Sequence, residues 1–170
     1  MGTNMKRICL NRSVLDFMGH KLSPTAFVLE FGAGYSSRWF ADRCGRLLTV
    51  ETHRQWADTV RRELAGSECD WHVYFCETIA NVSMLLSPFH DIDLVLVDSR
   101  EDLRKLFTTL GWSVLKPGGW LVFDDAQRVQ HQDAVLWLDK IAGTGRRLVW
   151  APGDVESAVN RVALAWQRPL

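Results

Sequence analysis

The chain of 170 residues carries 20 basic and 20 acidic side chains, so its formal net charge is zero, and 47% of its residues are apolar. That size fits one domain with a real core, and the balanced charge argues against a surface built for nucleic acid or for an anionic membrane. There is no signal-peptide pattern and no apolar run of membrane-spanning length, and Cys9, Cys44, Cys69 and Cys76 show neither CxxC nor zinc-finger spacing, so a soluble protein of the reducing cytoplasm is the default expectation.

Residues 1–25 contain one amphipathic segment, NRSVLDFMGHKL (11–22), and the core is expected over 26–170. The first strand is AFVLEFG (26–32), followed by a glycine turn and the helical stretch SSRWFADRC. RLLTVE (46–51) leads into RQWADTVRREL, and WHVYFCE (71–77) into IANVSMLLS. IDLVLVD (92–98) is apolar nearly throughout, as a strand buried on both faces should be, and LRKLFTTLGWSVL follows it. Pro117 should stop that helix and Gly118-Gly119 should turn the chain into WLVFDD (120–125), with QDAVLWLDKIA beyond. RRLVWA (146–151) and RVALAWQ (161–167) are separated only by APGDVES (151–157) and a few more residues. That is too short for a crossover helix, so they form an antiparallel pair. Strand alternating with helix predicts one α/β domain, a mostly parallel sheet covered on both faces and closed by an antiparallel hairpin.

Polar residues gather at the strand ends. Glu30 precedes the glycine turn, and Glu51, Glu77, Asp98 and Asp124-Asp125 end the next four strands. Ligands of open α/β sheets bind at that edge, although each acid alone could merely cap the following helix. Gly32 and Gly34 allow close backbone approach, Ser36 and Ser37 add hydroxyls, and Glu51 stands where an acid grips ribose hydroxyls. A dinucleotide turn would need a third glycine where Ser37 stands. Loop and acid together point to an adenosine-type ligand.

E-x-G-x-G with Ser-Ser, then TVE, DLVLVD and LKPGGWLVFDD, resembles the class I S-adenosylmethionine-dependent methyltransferases from about residue 26 to the end. The resemblance implies a Rossmann-like seven-stranded sheet whose last strand is antiparallel. It implies that Glu30, Gly32, Gly34, Tyr35, Ser36 and Ser37 surround the donor's methionine moiety, that Glu51 binds its ribose, and that Thr52, His53 and Glu77 lie by the adenine. It sets Asp98 in the active-site acidic motif, touching cofactor and chemistry alike. Ser36 departs from the family's commonest third glycine. Methyl transfer to a hydroxyl acceptor is the expected activity. The alternatives are metal-independent transfer to nitrogen or a macromolecule, an inactive cofactor-binding module, and an NAD-dependent oxidoreductase.

Asp98, Asp124 and Asp125 could offer oxygens to Mg²⁺, an arrangement similar to that of catechol-type and macrocin-type O-methyltransferases. The other reading has Asp124 and Asp125 capping a turn and meeting Arg128. Catechol-type enzymes carry a lysine three residues after the motif aspartate, and Glu101 stands there instead. Helical spacing sends Arg100, Arg104 and Lys105 toward solvent. His131 is the candidate general base, weighed against an exposed histidine with no role. Trp39, Trp56 and Trp137 are expected in the core. With only one segment before the first strand, the site is either open to a large acceptor or covered by a second copy of the chain.

Overall fold

The computed structural model describes residue 8 and residues 10–143, 147–150 and 162–170. Seven strands form one sheet: β1 (Phe27–Phe31), β2 (Arg46–Glu51), β3 (Asp70–Phe75), β4 (Ile92–Val97), β5 (Leu115–Phe123), β6 (Arg147–Trp150) and β7 (Ala163–Gln167). Their order is β3-β2-β1-β4-β5-β7-β6. Pairs from β3 to β5 are parallel, and β7 runs antiparallel to both β5 and β6. The expected closing pair is therefore present; its connecting turn, with Arg146, Ala151 and Arg161 at the strand ends, lies outside the described residues, as does Cys9.

Alternation along each strand feeds two cores. Phe27, Leu29 and Phe31 of β1 face α4 (Ile79–Leu86), α5 (Arg104–Val114) and α6 (Gln132–Ala142). Val28 faces α1 (Arg12–Lys21), α2 (Tyr35–Ala41) and α3 (Arg54–Leu64). Each large apolar side chain fully buried this way contributes about 1.5–3 kcal/mol. β4 lies between the two layers, and Leu94, Val95, Leu96 and Val97 are all fully buried, which explains its unbroken apolar run.

The N-terminal segment belongs to the core. Asn11 caps α1 by accepting from the Ser13 amide at 2.9 Å. Val14 and Met18 are fully buried, and Phe17 meets Trp120 edge-on at 5.0 Å. At LKPGGW the structure departs from expectation. The helix ends at Val114, Leu115 already pairs with Ile92, and residues 116–119 bulge outward before Trp120 pairs with Leu94. Gly118, at φ 77°, makes that bend, and its amide donates to the Arg168 carbonyl at 3.0 Å.

Candidate active site

Strand order reverses at β1. The chain moves one way to β2 and β3, then returns to lay β4 on the other side. In open α/β sheets such a reversal, at the carboxyl ends of the strands, is where ligands bind. Gly32 and Asp98 flank that point. Gly32 has φ 102°, and a Cβ on it would stand 2.0 Å from the Asp98 carbonyl oxygen. Glycine here serves the approach of two backbones. Gly34, extended at φ −173°, begins α2, and a Cβ on it would meet only the Ser36 hydroxyl, at 4.0 Å. That space at a helix start is where a ligand can reach bare backbone.

Glu30, expected around the donor's methionine moiety, lies beneath the glycine loop. The pleat puts it on the Val28 face, opposite Thr49 in register, where it is fully buried. It accepts from the Ser36 and Ser37 hydroxyls, both at 2.5 Å, and from Thr49 at 2.9 Å. Ser36 and Ser37 are buried as well, so all three residues brace the glycine loop from beneath. Burial pushes the Glu30 carboxyl up to about 7 against the lowering effect of its three hydroxyl donors, and the nearby Asp98 charge pushes the same way.

Glu51 ties the first two loops together. One oxygen accepts from the Ala33 amide at 2.7 Å, the other from the Thr52 and His53 amides at 2.6 Å each. The acid after β2 is thereby fixed beside the loop after β1. His53 is exposed and begins α3. Tyr35 stands edge-on to Trp56 at 6.1 Å, and Trp56 is 42% exposed, which corrects its expected place in the core. Trp39 and Trp137 do pack against the cores, each partly buried. Glu77 is exposed and paired with Arg54 at 2.7 Å. That pair stands two residues beyond the end of β3, whose last residue, Phe75, lies under the Arg54 guanidinium at 4.2 Å.

Asp98, Asp124 and Asp125 do meet at one rim, but they surround a side chain expected to face solvent. Arg104 is 4% exposed. Its guanidinium donates to Asp98 Oδ1 at 2.9 Å, to the Asp124 carbonyl at 2.5 Å and to the Ser99 carbonyl at 2.8 Å, and stands 3.7 Å from Asp125 Oδ2. Arg128 adds a second contact to Asp125 Oδ2 at 2.8 Å and also binds Glu101. A hydrogen bond from Gln130, then the contact with Arg128, hold the Glu101 carboxyl below its usual range. Among the described residues no three His, Cys, Asp or Glu side chains are grouped to hold a metal ion. The aspartates therefore do not fit the expected Mg²⁺ site, because the Asp98 and Asp125 carboxylates are directed to arginines, while Asp124 meets Arg104 through its backbone carbonyl. Asp125 adopts φ 56°, a left-handed conformation that Asp tolerates better than most residues.

His131 is buried rather than exposed, at 2%. Its Nδ1 lies 3.0 Å from the Asp125 carbonyl and its ring meets Phe123 edge-on at 5.5 Å. A carbonyl can only accept, so Nδ1 carries a proton, and in a neutral ring that tautomer would leave Nε2 as the acceptor. Nε2 has no hydrogen-bond partner among the described residues.

These pieces form one rim: a glycine loop locked to the acid that ends β2, Asp98 across the switch point, and the Asp124-Asp125 pair beyond. A family model described as a methyltransferase domain matches residues 29–126, more than half of the chain. The chain belongs to the methyltransferase domain family. The match runs from β1 through Asp125, so it spans every one of these rim elements. No curated relative matches the methyltransferase in sequence. Its fold is similar to that of an rRNA methylase from Streptococcus thermophilus, 14% identical with a TM-score of 0.74, over 99% of this chain and 100% of that one. It is similar to an O-methyltransferase from Bacillus cereus in complex with SAH, at 17% identity and TM-score 0.73, over 97% and 85%. An O-methyltransferase of tomaymycin synthesis from Streptomyces achromogenes, in complex with SAM, gives 20% identity and TM-score 0.66 over 92% and 78%. At such identities the likeness establishes the fold.

Proposed function

We propose that this methyltransferase takes its methyl group from S-adenosylmethionine and passes it to a hydroxyl oxygen of its acceptor. The observation that carries the reading is the lock between Glu51 and the Ala33 amide, at 2.7 Å, beside the bare backbone of Gly34. An acid after the second strand beside a turn open to backbone contact suits a nucleoside with an amino-acid tail. The donor's positive sulfonium and ammonium groups also suit a rim of carboxylates better than a pyrophosphate would. Two structures of similar fold are O-methyltransferases in complex with SAH or SAM.

In this reading the acceptor oxygen attacks the methyl carbon in line with the sulfur. The O–C bond forms, the S–C bond breaks and the sulfonium charge is neutralised, while the hydroxyl proton leaves to a base. His131, whose buried Nε2 has no hydrogen-bond partner among the described residues, is the base we assign, and its burial requires the acceptor hydroxyl to be taken out of water. Asp98, 29% exposed at its side chain, holds the donor's charged end across the switch point from Gly34.

The test is transfer of isotopically labelled methyl from S-adenosylmethionine to matched acceptors bearing hydroxyl, amine or RNA groups. Label on oxygen is the expected result, lost in His131→Ala while S-adenosylhomocysteine still binds. Label on nitrogen or RNA alone would overturn the hydroxyl assignment.

A further inference from the structure

We propose that Arg104 is the permanent cation of the acidic rim, standing where a divalent ion would otherwise sit, so that this methyltransferase works without a metal. The inference deepens the S-adenosylmethionine reading of the same site and rests on it.

Arg104 begins α5 yet turns inward, with 5% of its side chain exposed. A guanidinium buried that deeply is costly unless its donors are all used. Here the fork is spread over the ends of two neighbouring strands. It donates to the Ser99 carbonyl and Asp98 Oδ1 beyond β4, and to the Asp124 carbonyl beyond β5. The Phe123 ring lies 5.8 Å below it. Such a span needs a planar group with several fixed donors, which a lysine ammonium cannot reproduce.

The same contacts occupy two of the carboxylate oxygens a metal would use. Magnesium asks for about six oxygens at ~2.0–2.1 Å in octahedral array. Asp98 Oδ1 already receives Arg104, and Asp125 Oδ2 lies near both Arg104 and Arg128. A dication added at that point would also stand beside a fixed positive charge and be repelled by it. Glu101, where a catechol-type lysine would stand, is taken up by Arg128. Two arginines thus supply part of the rim's counter-charge from within. Arg104 acts as a positioning residue, aiming Asp98 and clamping the β4 and β5 ends, with no part in bond making.

Manganese, whose spectrum changes on binding, is the probe. Wild-type protein saturated with S-adenosylhomocysteine is titrated with Mn²⁺ and followed by electron paramagnetic resonance. Wild type is expected to leave the free-ion signal intact into the millimolar range. Arg104→Gln, and separately Arg104→Ala, remove the cation and are expected to bind Mn²⁺ at least about tenfold more tightly than wild type. That gain should vanish when Asp98→Asn is added, and guanidinium ion should displace the Mn²⁺ from Arg104→Ala. A merely structural role would cost stability without creating a cation site. Submillimolar Mn²⁺ binding by wild type that Asp98→Asn abolishes would overturn the proposal, and this arm needs no Arg104 variant to fold. So would a folded Arg104→Gln that binds no more Mn²⁺ than wild type does. Calorimetry with S-adenosylhomocysteine on the same samples separates the two readings. Its failure sinks the cofactor assignment and leaves the Mn²⁺ result to decide this one.

Discussion

Gly32 and Gly34, two residues apart, are glycine for different reasons, and substitution separates them. Alanine at Gly32 would place its Cβ against the Asp98 carbonyl in a left-handed backbone, so Gly32→Ala should lower unfolding free energy by roughly 2 kcal/mol or more in urea melts. Gly34→Ala meets no protein atom closer than the Ser36 hydroxyl at 4.0 Å. It should change stability by less than about 1 kcal/mol, yet weaken S-adenosylhomocysteine binding about tenfold or more by calorimetry. Glu30 adds a pH signature. Its carboxyl is raised from 4.5 to about 7, so the native state holds a proton that the unfolded chain has released. The stability this contributes is full below pH 4.5 and is lost as pH rises through about 7, a fall of up to about 3 kcal/mol. Glu30→Gln, permanently neutral, should flatten that fall and be the more stable protein at pH 8 in denaturant melts. An unchanged pH profile would mean that Glu30 titrates normally.

At the scale of elements, α1 is a structural member of the domain. Met18 is fully buried against the sheet, so Met18→Ala should destabilise by about 2–5 kcal/mol while leaving S-adenosylhomocysteine affinity unchanged in the folded protein. A selective loss of affinity would instead make α1 part of the site. Most elements were legible because their periods are strong: α3 and α6 have the expected bounds residue for residue, and β4 reads as buried on both faces. The bulge at residues 116–119 was not legible, because Leu115 pairs with Ile92 only once both strands are in place. Arg104 was missed for a similar reason. An arginine in the first turn of a helix reads as solvated, and its burial depends on oxygens supplied by Ser99, Asp98 and Asp124 of other segments. Glu30 carried an overlooked signal. Its parity with Val28, opposite the Phe27-Leu29-Phe31 face, already places its side chain toward the α1, α2 and α3 layer.

At the scale of the whole molecule, a seven-stranded sheet carries the rim residues at the carboxyl ends of its strands, beside the reversal of strand order at β1. The loops hold each other through Glu51 to the Ala33 amide and through Arg104 to the ends of β4 and β5. The rim is thus shaped by the fold before any ligand arrives. The most direct measurement is isothermal calorimetry of the wild-type chain with S-adenosylhomocysteine, run beside Glu51→Ala and beside NAD. One molecule bound per chain is predicted, at least about tenfold weaker in Glu51→Ala, with no heat from NAD. A cooperative melting transition with no heat for the sulfur nucleoside, or binding of NAD in its place, would contradict the account.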